Sequence, residues 1–166
     1  MAEPAPLSDA VLPIELEAPG DAFGVEAVVA AAFGPGRFAK TAERLREASR
    51  PITGFVARQG GRVVATVRLW PVVVGGVDVA FLGPIAVDAS LRSSGIGADL
   101  VEHAHGAARE LGLPAVLLVG DPPYFSRFGY VQATGAVLPG PVDPRRVLVK
   151  ALTPAGEGLA GPVRRA

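Results

Sequence analysis

Between residues 52 and 88 three apolar stretches, 52–59, 62–74 and 77–88, are separated only by two glycine pairs, Gly60-Gly61 and Gly75-Gly76. A two-residue glycine turn admits the positive φ angles that close a tight hairpin, so these stretches are expected to run as three long antiparallel strands. In the second, Val63, Ala65, Val67 and Leu69 should share one face and Arg62, Thr66 and Arg68 the other. The third is apolar on both faces from Val79 to Val87 and therefore needs cover on both sides. Yet it contains Gly83-Pro84. A proline cannot donate to a sheet ladder, so a buried strand accepts it only at a bulge or where its neighbour has left. The sequence predicts a gap in the sheet at this point.

The flanking segments change period. Residues 12–18 read as a first strand, and from Asp21, an expected N-cap, Phe23, Val25, Val28, Val29 and Ala32 recur at helical spacing until Gly34-Pro35-Gly36. Residues 38–49 read as a second helix, with Leu45 and Ala48 inward and Lys40, Glu43, Arg44, Arg46 and Glu47 outward. A helix over 95–111 should bury Ile96, Leu100, Ala104, Ala107, Ala108 and Leu111, with Gly112 ending it. The apolar strand 115–119 then completes a parallel strand-helix-strand crossover. A short helix carries Tyr124, Phe125 and Phe128, and residues 146–151 form a last strand. The expectation is one mixed α/β (α+β) domain over 12–152, with a loose lead-in at 1–11 and a surface tail at 153–166.

Composition removes whole classes of function. Sixteen basic residues balance sixteen acidic ones, which argues against a dedicated nucleic-acid partner. With no cysteine there is no disulfide scaffold, no thiolate metal site and no thiol nucleophile, and no metal is expected. No apolar run approaches the roughly 18 residues of a membrane helix, and residues 1–6 lack the basic start of a secretory signal. A soluble cytoplasmic protein without a membrane partner is expected, and its 49% hydrophobic content leaves room for a homodimer.

The strongest chemical signal is Arg92-Ser93-Ser94-Gly95-Ile96-Gly97-Ala98, between a buried strand and an amphipathic helix. The glycines allow close backbone approach, the free amides of a first helical turn favour a phosphate, and Arg92 adds positive charge. The same glycines also suit a plain connector. Two nucleotide motifs are excluded: there is no G-x-x-x-x-G-K-S/T, and a dinucleotide fingerprint needs a third glycine where Leu100 stands.

That loop, the order of elements and Tyr124-Phe125-Ser126-Arg127-Phe128-Gly129-Tyr130 resemble the GCN5-related N-acetyltransferase (GNAT) superfamily. Residues 82–88 together with Gly120-Asp121-Pro122-Pro123-Tyr124-Phe125 are most similar to its small acetyltransferases of the YhbS type. The resemblance implies a V-shaped splay between two central strands, with acetyl-CoA as acyl donor in the wedge. It implies that Ile85, Ala86 and Val87 pair with the pantetheine amides through their backbone. It further implies that Ser93, Ser94, Gly95, Ile96, Gly97 and Ala98 hold the pyrophosphate beside Arg92, and that Phe125 lies against the cofactor. The implied reaction is direct acetyl transfer in a ternary complex to a primary amine of a small molecule or a peptide N-terminus.

An amine near pKa 10 is mostly protonated at neutral pH, so a group must take its proton, and the leaving thiolate needs a donor. In the family that donor is often a tyrosine four residues before the glycine of the Gly-aromatic pair, and Phe125 stands there. Tyr124, one place earlier, is the candidate acid; water, or a coenzyme-A-binding module without efficient turnover, are the alternatives. Asp121 is the candidate base or amine-binding carboxylate, and a helix cap is its other reading. Asp88 reads as a loop residue, His103 and His105 as solvated, Trp70 as core and Tyr130 as packing in the last hairpin.

Overall fold

A computed structural model describes residues 12–166; the expected lead-in at 1–11 lies outside the described residues. The elements run β1 (Ile14–Leu16), α1 (Ala22–Phe33), α2 (Thr41–Arg44), β2 (Thr53–Gln59), β3 (Arg62–Val74), β4 (Val77–Val87), α3 (Ile96–Glu110) and β5 (Ala115–Val119). They continue with α4 (Pro122–Ser126), β6 (Val131–Gln132), β7 (Ala136–Val137), β8 (Val147–Ala151) and β9 (Gly161–Arg165). The sheet order is β1-β2-β3-β4-β5-β8-β6, antiparallel except for the parallel β4–β5 pair. Both expected glycine hairpins and the α3 crossover are present.

The sheet is covered on both faces. Leu100, Val101, Ala104 and Ala108 of α3 pack on Ala65, Val67, Leu69, Ala80 and Leu82. On the other face Val25, Val28 and Val29 of α1 pack on Val56, Val63 and Ala86. Val63 therefore does not share a face with Ala65: Ala57 pairs with Ala65 but Arg58 with Val63, so Val64 is an extra residue that turns the strand over. Thr66 lies on the face opposite Ala65, as expected, and is buried there beneath α1.

Other expectations are corrected. The second helix is only Thr41–Arg44; the next residues form turns, and Ala48 adopts φ +54° and is exposed. Phe23, counted among the recurring apolar positions of α1, and Leu111, expected to be buried at the end of α3, are 89% and 56% exposed, since among the described residues nothing packs fully over those helix ends. Asp21 makes no cap bond at α1; its carboxylate is held by the Arg58 guanidinium and the Ala18 amide instead. The tail beyond Leu152 is not merely surface: β9 pairs with Val72–Val74 of β3 and buries Val163.

Candidate active site

Beyond Phe81 the sheet opens. Strands β4 and β5 pair only at Ala80 with Val116 and Phe81 with Leu117, then separate. β4 keeps its other partner, since Ile85, Ala86 and Val87 stay in register with Val67, Thr66 and Ala65. Between Leu82 and Ile85 two residues, Gly83 and Pro84, oppose the single Arg68, so the proline sits in a bulge on one side and at the gap on the other. Trp70, buried as expected, donates its indole N–H to the Gly83 carbonyl at 2.6 Å.

Peptide groups alternate in direction along a strand. The Asp88 amide donates to the Val64 carbonyl at 2.7 Å, so Ala86 also turns its backbone toward β3 while Ile85 and Val87 turn theirs into the gap. Ile85 and Val87 thus present unpaired donors and acceptors to the wedge. Ala86 does not: its backbone faces β3 and its side chain packs under α1.

The wedge leads into a groove of about 490 Å³ at the start of α3, bordered by Val87, Arg92, Ser93, Gly95, Gly97 and Ala98. Gly95, the N-cap, has φ +92° and no side chain of its own, and the Ile96 amide makes only a long 3.5 Å contact to the Ser94 hydroxyl. The Ser94 hydroxyl donates to the Leu91 carbonyl at 2.5 Å, closing the preceding turn, and Ile96 buries its side chain so that only its backbone is offered. Arg92 is exposed at the rim and makes no ion pair with any described residue. Pro122-Pro123 start the α4 turn, which sends Tyr124 and Phe125 in different directions. Tyr124 borders the phosphate-side groove, its hydroxyl 3.2 Å from where a methyl on Gly97 would stand. Phe125 turns inward to the other cavity, its ring filling the space above Gly120, where a methyl would lie 2.4 Å away.

That second cavity, of about 270 Å³, lies between Leu82–Ile85 of β4, the end of β5 and the segment around α2. Arg37, Lys40, Arg46 and Arg146 border it, against Glu43 and Asp121. Arg46 was expected outward; it is 13% exposed, hydrogen-bonds Glu43 at 2.9 Å and lies over the Phe81 ring. Burial pulls its pKa below the ordinary arginine value, with Glu43 opposing. Asp121 makes no side-chain cap bond to α4 and stands exposed at the cavity edge, so the cap reading is set aside.

His105 corrects another expectation. It is fully buried, with Nε2 2.7 Å from the Tyr130 hydroxyl. Desolvation first, then Lys150 and Arg109, push its pKa down to about 4, and burial raises that of Tyr130. His103 is at the surface, as expected, against the Asp99 carbonyl. Asp88 holds the Ser90 amide and hydroxyl, a loop-forming role that keeps its carboxyl below the usual range.

The sequence profile of the Acetyltransferase (GNAT) family matches residues 25–130. The uncharacterized N-acetyltransferase YhbS of Escherichia coli K12 is 37% identical over 123 residues, 72% of this chain and 74% of that protein. The crystal structure of Escherichia coli YhbS in complex with CoA superposes with a TM-score of 0.82 at 31% identity, covering 100% of this chain and 93% of that one. A GNAT family acetyltransferase from Brucella melitensis, in complex with acetyl-CoA, shares the fold at a TM-score of 0.74 and 24% identity, over 94% of this chain and 96% of that one.

Proposed function

This chain belongs to the acetyltransferase (GNAT) family and is an N-acetyltransferase, and we propose that it passes the acetyl group of acetyl-CoA directly to a primary amine of a small molecule or peptide N-terminus. The observation that carries the reading is the separation of β4 from β5 beyond Phe81 and Leu117, which leaves the Ile85 and Val87 peptide groups free beside the uncapped start of α3. A strand edge with no partner fits the amides of a pantetheine arm. The bare Gly95–Ala98 backbone fits a pyrophosphate, and Arg92 adds a charge at its rim. A cytoplasmic place of action goes with this reading, since acetyl-CoA is an intracellular metabolite.

Bound there, acetyl-CoA supplies an acyl group already activated as a thioester. Ile85 and Val87 hold the pantetheine arm along β4, and one of their amides faces the charge that develops on the carbonyl oxygen. Ser93 and the amides from Gly95 through Ala98 hold the diphosphate, while Ser94, whose amide and hydroxyl both donate to the Leu91 carbonyl, shapes the turn rather than binding as the sequence suggested. Asp121 positions the ammonium and takes its proton, which frees the nitrogen lone pair. As the new C–N bond forms the C–S bond breaks, and the thiolate takes a proton. The Tyr124 hydroxyl, lying against Gly97, suits the phosphate end of the groove rather than this proton transfer. Phe125 offers no proton, so solvent water supplies it.

Phe125 also favours a second reading, a protein that binds coenzyme A with weak turnover. A thiol-release assay over a panel of primary amines, with acetylated product followed by mass spectrometry, separates the two. The first reading predicts amine-dependent thiol release with one acetylated amine per thiol. Tight acetyl-CoA binding with no release above the rate in buffer would leave only the second.

A further inference from the structure

We propose that the acceptor amine carries an oxyanion, a carboxylate or a phosphate, and that Arg46 receives it; the proposal rests on the acetyltransferase reading of the same cleft. Four cations against two carboxylates give the cavity beside the wedge an excess of positive charge. Those cations are not equivalent. Arg37 donates to Glu26 at 2.7 Å and lies against the Phe38 ring, and Lys40 is exposed.

Arg37, like Arg46, is mostly buried with an unpartnered Nε, but Arg46 is the one placed against Gly83 where the wedge opens. A guanidinium offers five N–H donors in a planar fork suited to an oxyanion. Among the described residues its side chain makes one hydrogen bond, from Nη1 to Glu43, and its buried Nε has no partner. A buried charge with unmet donors is expensive unless something in the site meets them. Its Nη2 lies 3.0 Å from where a methyl on Gly83 would stand, so the fork reaches the point where β4 leaves β5.

Arg146 supports the same corner, its Nε donating to the Gly120 carbonyl at 3.2 Å at the end of β5. Asp121 is the neighbouring residue of that carbonyl and borders the same cavity. A short molecule with an ammonium toward Asp121 and an oxyanion toward Arg46 satisfies both signs of charge. A neutral amine leaves the Arg46 donors unmet, and a polycation meets repulsion from four basic side chains.

The test is calorimetry on the CoA-saturated protein with matched pairs, β-alanine against β-alaninamide and phosphoethanolamine against ethanolamine. The acid-bearing member of at least one pair should bind tenfold or more tightly, and the pair that shows it tells carboxylate from phosphate. In Arg46→Gln this advantage should vanish while acetyl-CoA affinity stays within threefold. Where that variant does not fold, Arg46→Lys, which keeps the charge but not the fork, should lose at least threefold of the advantage. Equal binding within both pairs, no binding by any member, or an advantage untouched in the Arg46 variant overturns the inference. Preferential binding without thiol release would instead remove acetyl transfer and keep only the oxyanion site at Arg46. Equal thiol release from acidic and neutral amines would remove the inference alone.

Discussion

His105 and Tyr130 meet at 2.7 Å in the core, tying the middle of α3 to the chain just beyond α4. Because the His105 pKa lies near 4 in the fold and near 6.5 in an unfolded chain, the unfolded state binds the extra proton between those values. Stability from this group is therefore complete above about pH 6.5 and is lost as pH falls toward 4, by at most about 3 kcal/mol. Urea unfolding at a series of pH values reads this directly. Replacing His105 with Gln should flatten the curve in that window, whereas an unchanged slope would show that another group is responsible.

Gly97 lies in the first turn of α3, where alanine would ordinarily favour the helix by up to about 1 kcal/mol. Its added methyl would stand 3.2 Å from the Tyr124 hydroxyl, on the face assigned to the diphosphate. Gly97→Ala should keep its melting temperature within a few degrees yet bind acetyl-CoA at least about tenfold more weakly. The double change with Tyr124→Phe should relieve the crowding without restoring affinity. Full affinity in Gly97→Ala would separate the loop from the ligand.

Phe125 and Tyr124 make opposite predictions. Phe125→Tyr places a hydroxyl on the ring that borders the cavity beside the wedge, and a general acid there should raise kcat by about tenfold or more. Tyr124→Phe should weaken acetyl-CoA binding severalfold and leave the alkaline side of the kcat profile where it was. A profile that changes on that side in Tyr124→Phe would return Tyr124 to the role of acid.

Gly75 adopts φ +53°, and a methyl on it would lie 1.9 Å from the Ala160 carbonyl oxygen as the chain enters β9. Gly75→Ala should cost about 1–3 kcal/mol by thermal or denaturant unfolding, and removing residues 158–166 should cost a similar amount. A Gly75→Ala protein as stable as the parent would mean that β9 is not held against the hairpin.

Much of this arrangement is legible in the chain because short-range rules determine it. Two-residue glycine turns set the pairing of β2, β3 and β4, and Gly83-Pro84 marks the place where β4 loses a neighbour. The uncapped glycine start of α3 follows equally from local backbone freedom. What escapes sequence reading depends on partners far along the chain. His105 lies beside the apolar stripe of α3 and is buried in the core with its ring against Tyr130, 25 residues further along the chain. β9 carries one fully buried side chain, Val163, between Gly161-Pro162 and two arginines, so it shows no strand periodicity. Arg46 turns inward because α2 ends at Arg44, and its cavity gathers Arg37, Asp121 and Arg146 from distant segments. The tyrosine-to-phenylalanine departure at Phe125 is visible in the sequence, whereas the groove that Tyr124 borders is visible only in the fold.

A crystal structure of the protein with acetyl-CoA tests the central claim most directly. The pantetheine amides should hydrogen-bond the Ile85 and Val87 peptide groups, with the diphosphate at about 3 Å from the amides between Gly95 and Ala98. Acetyl-CoA bound elsewhere, with β4 and β5 paired past Phe81 and Leu117, would contradict the account.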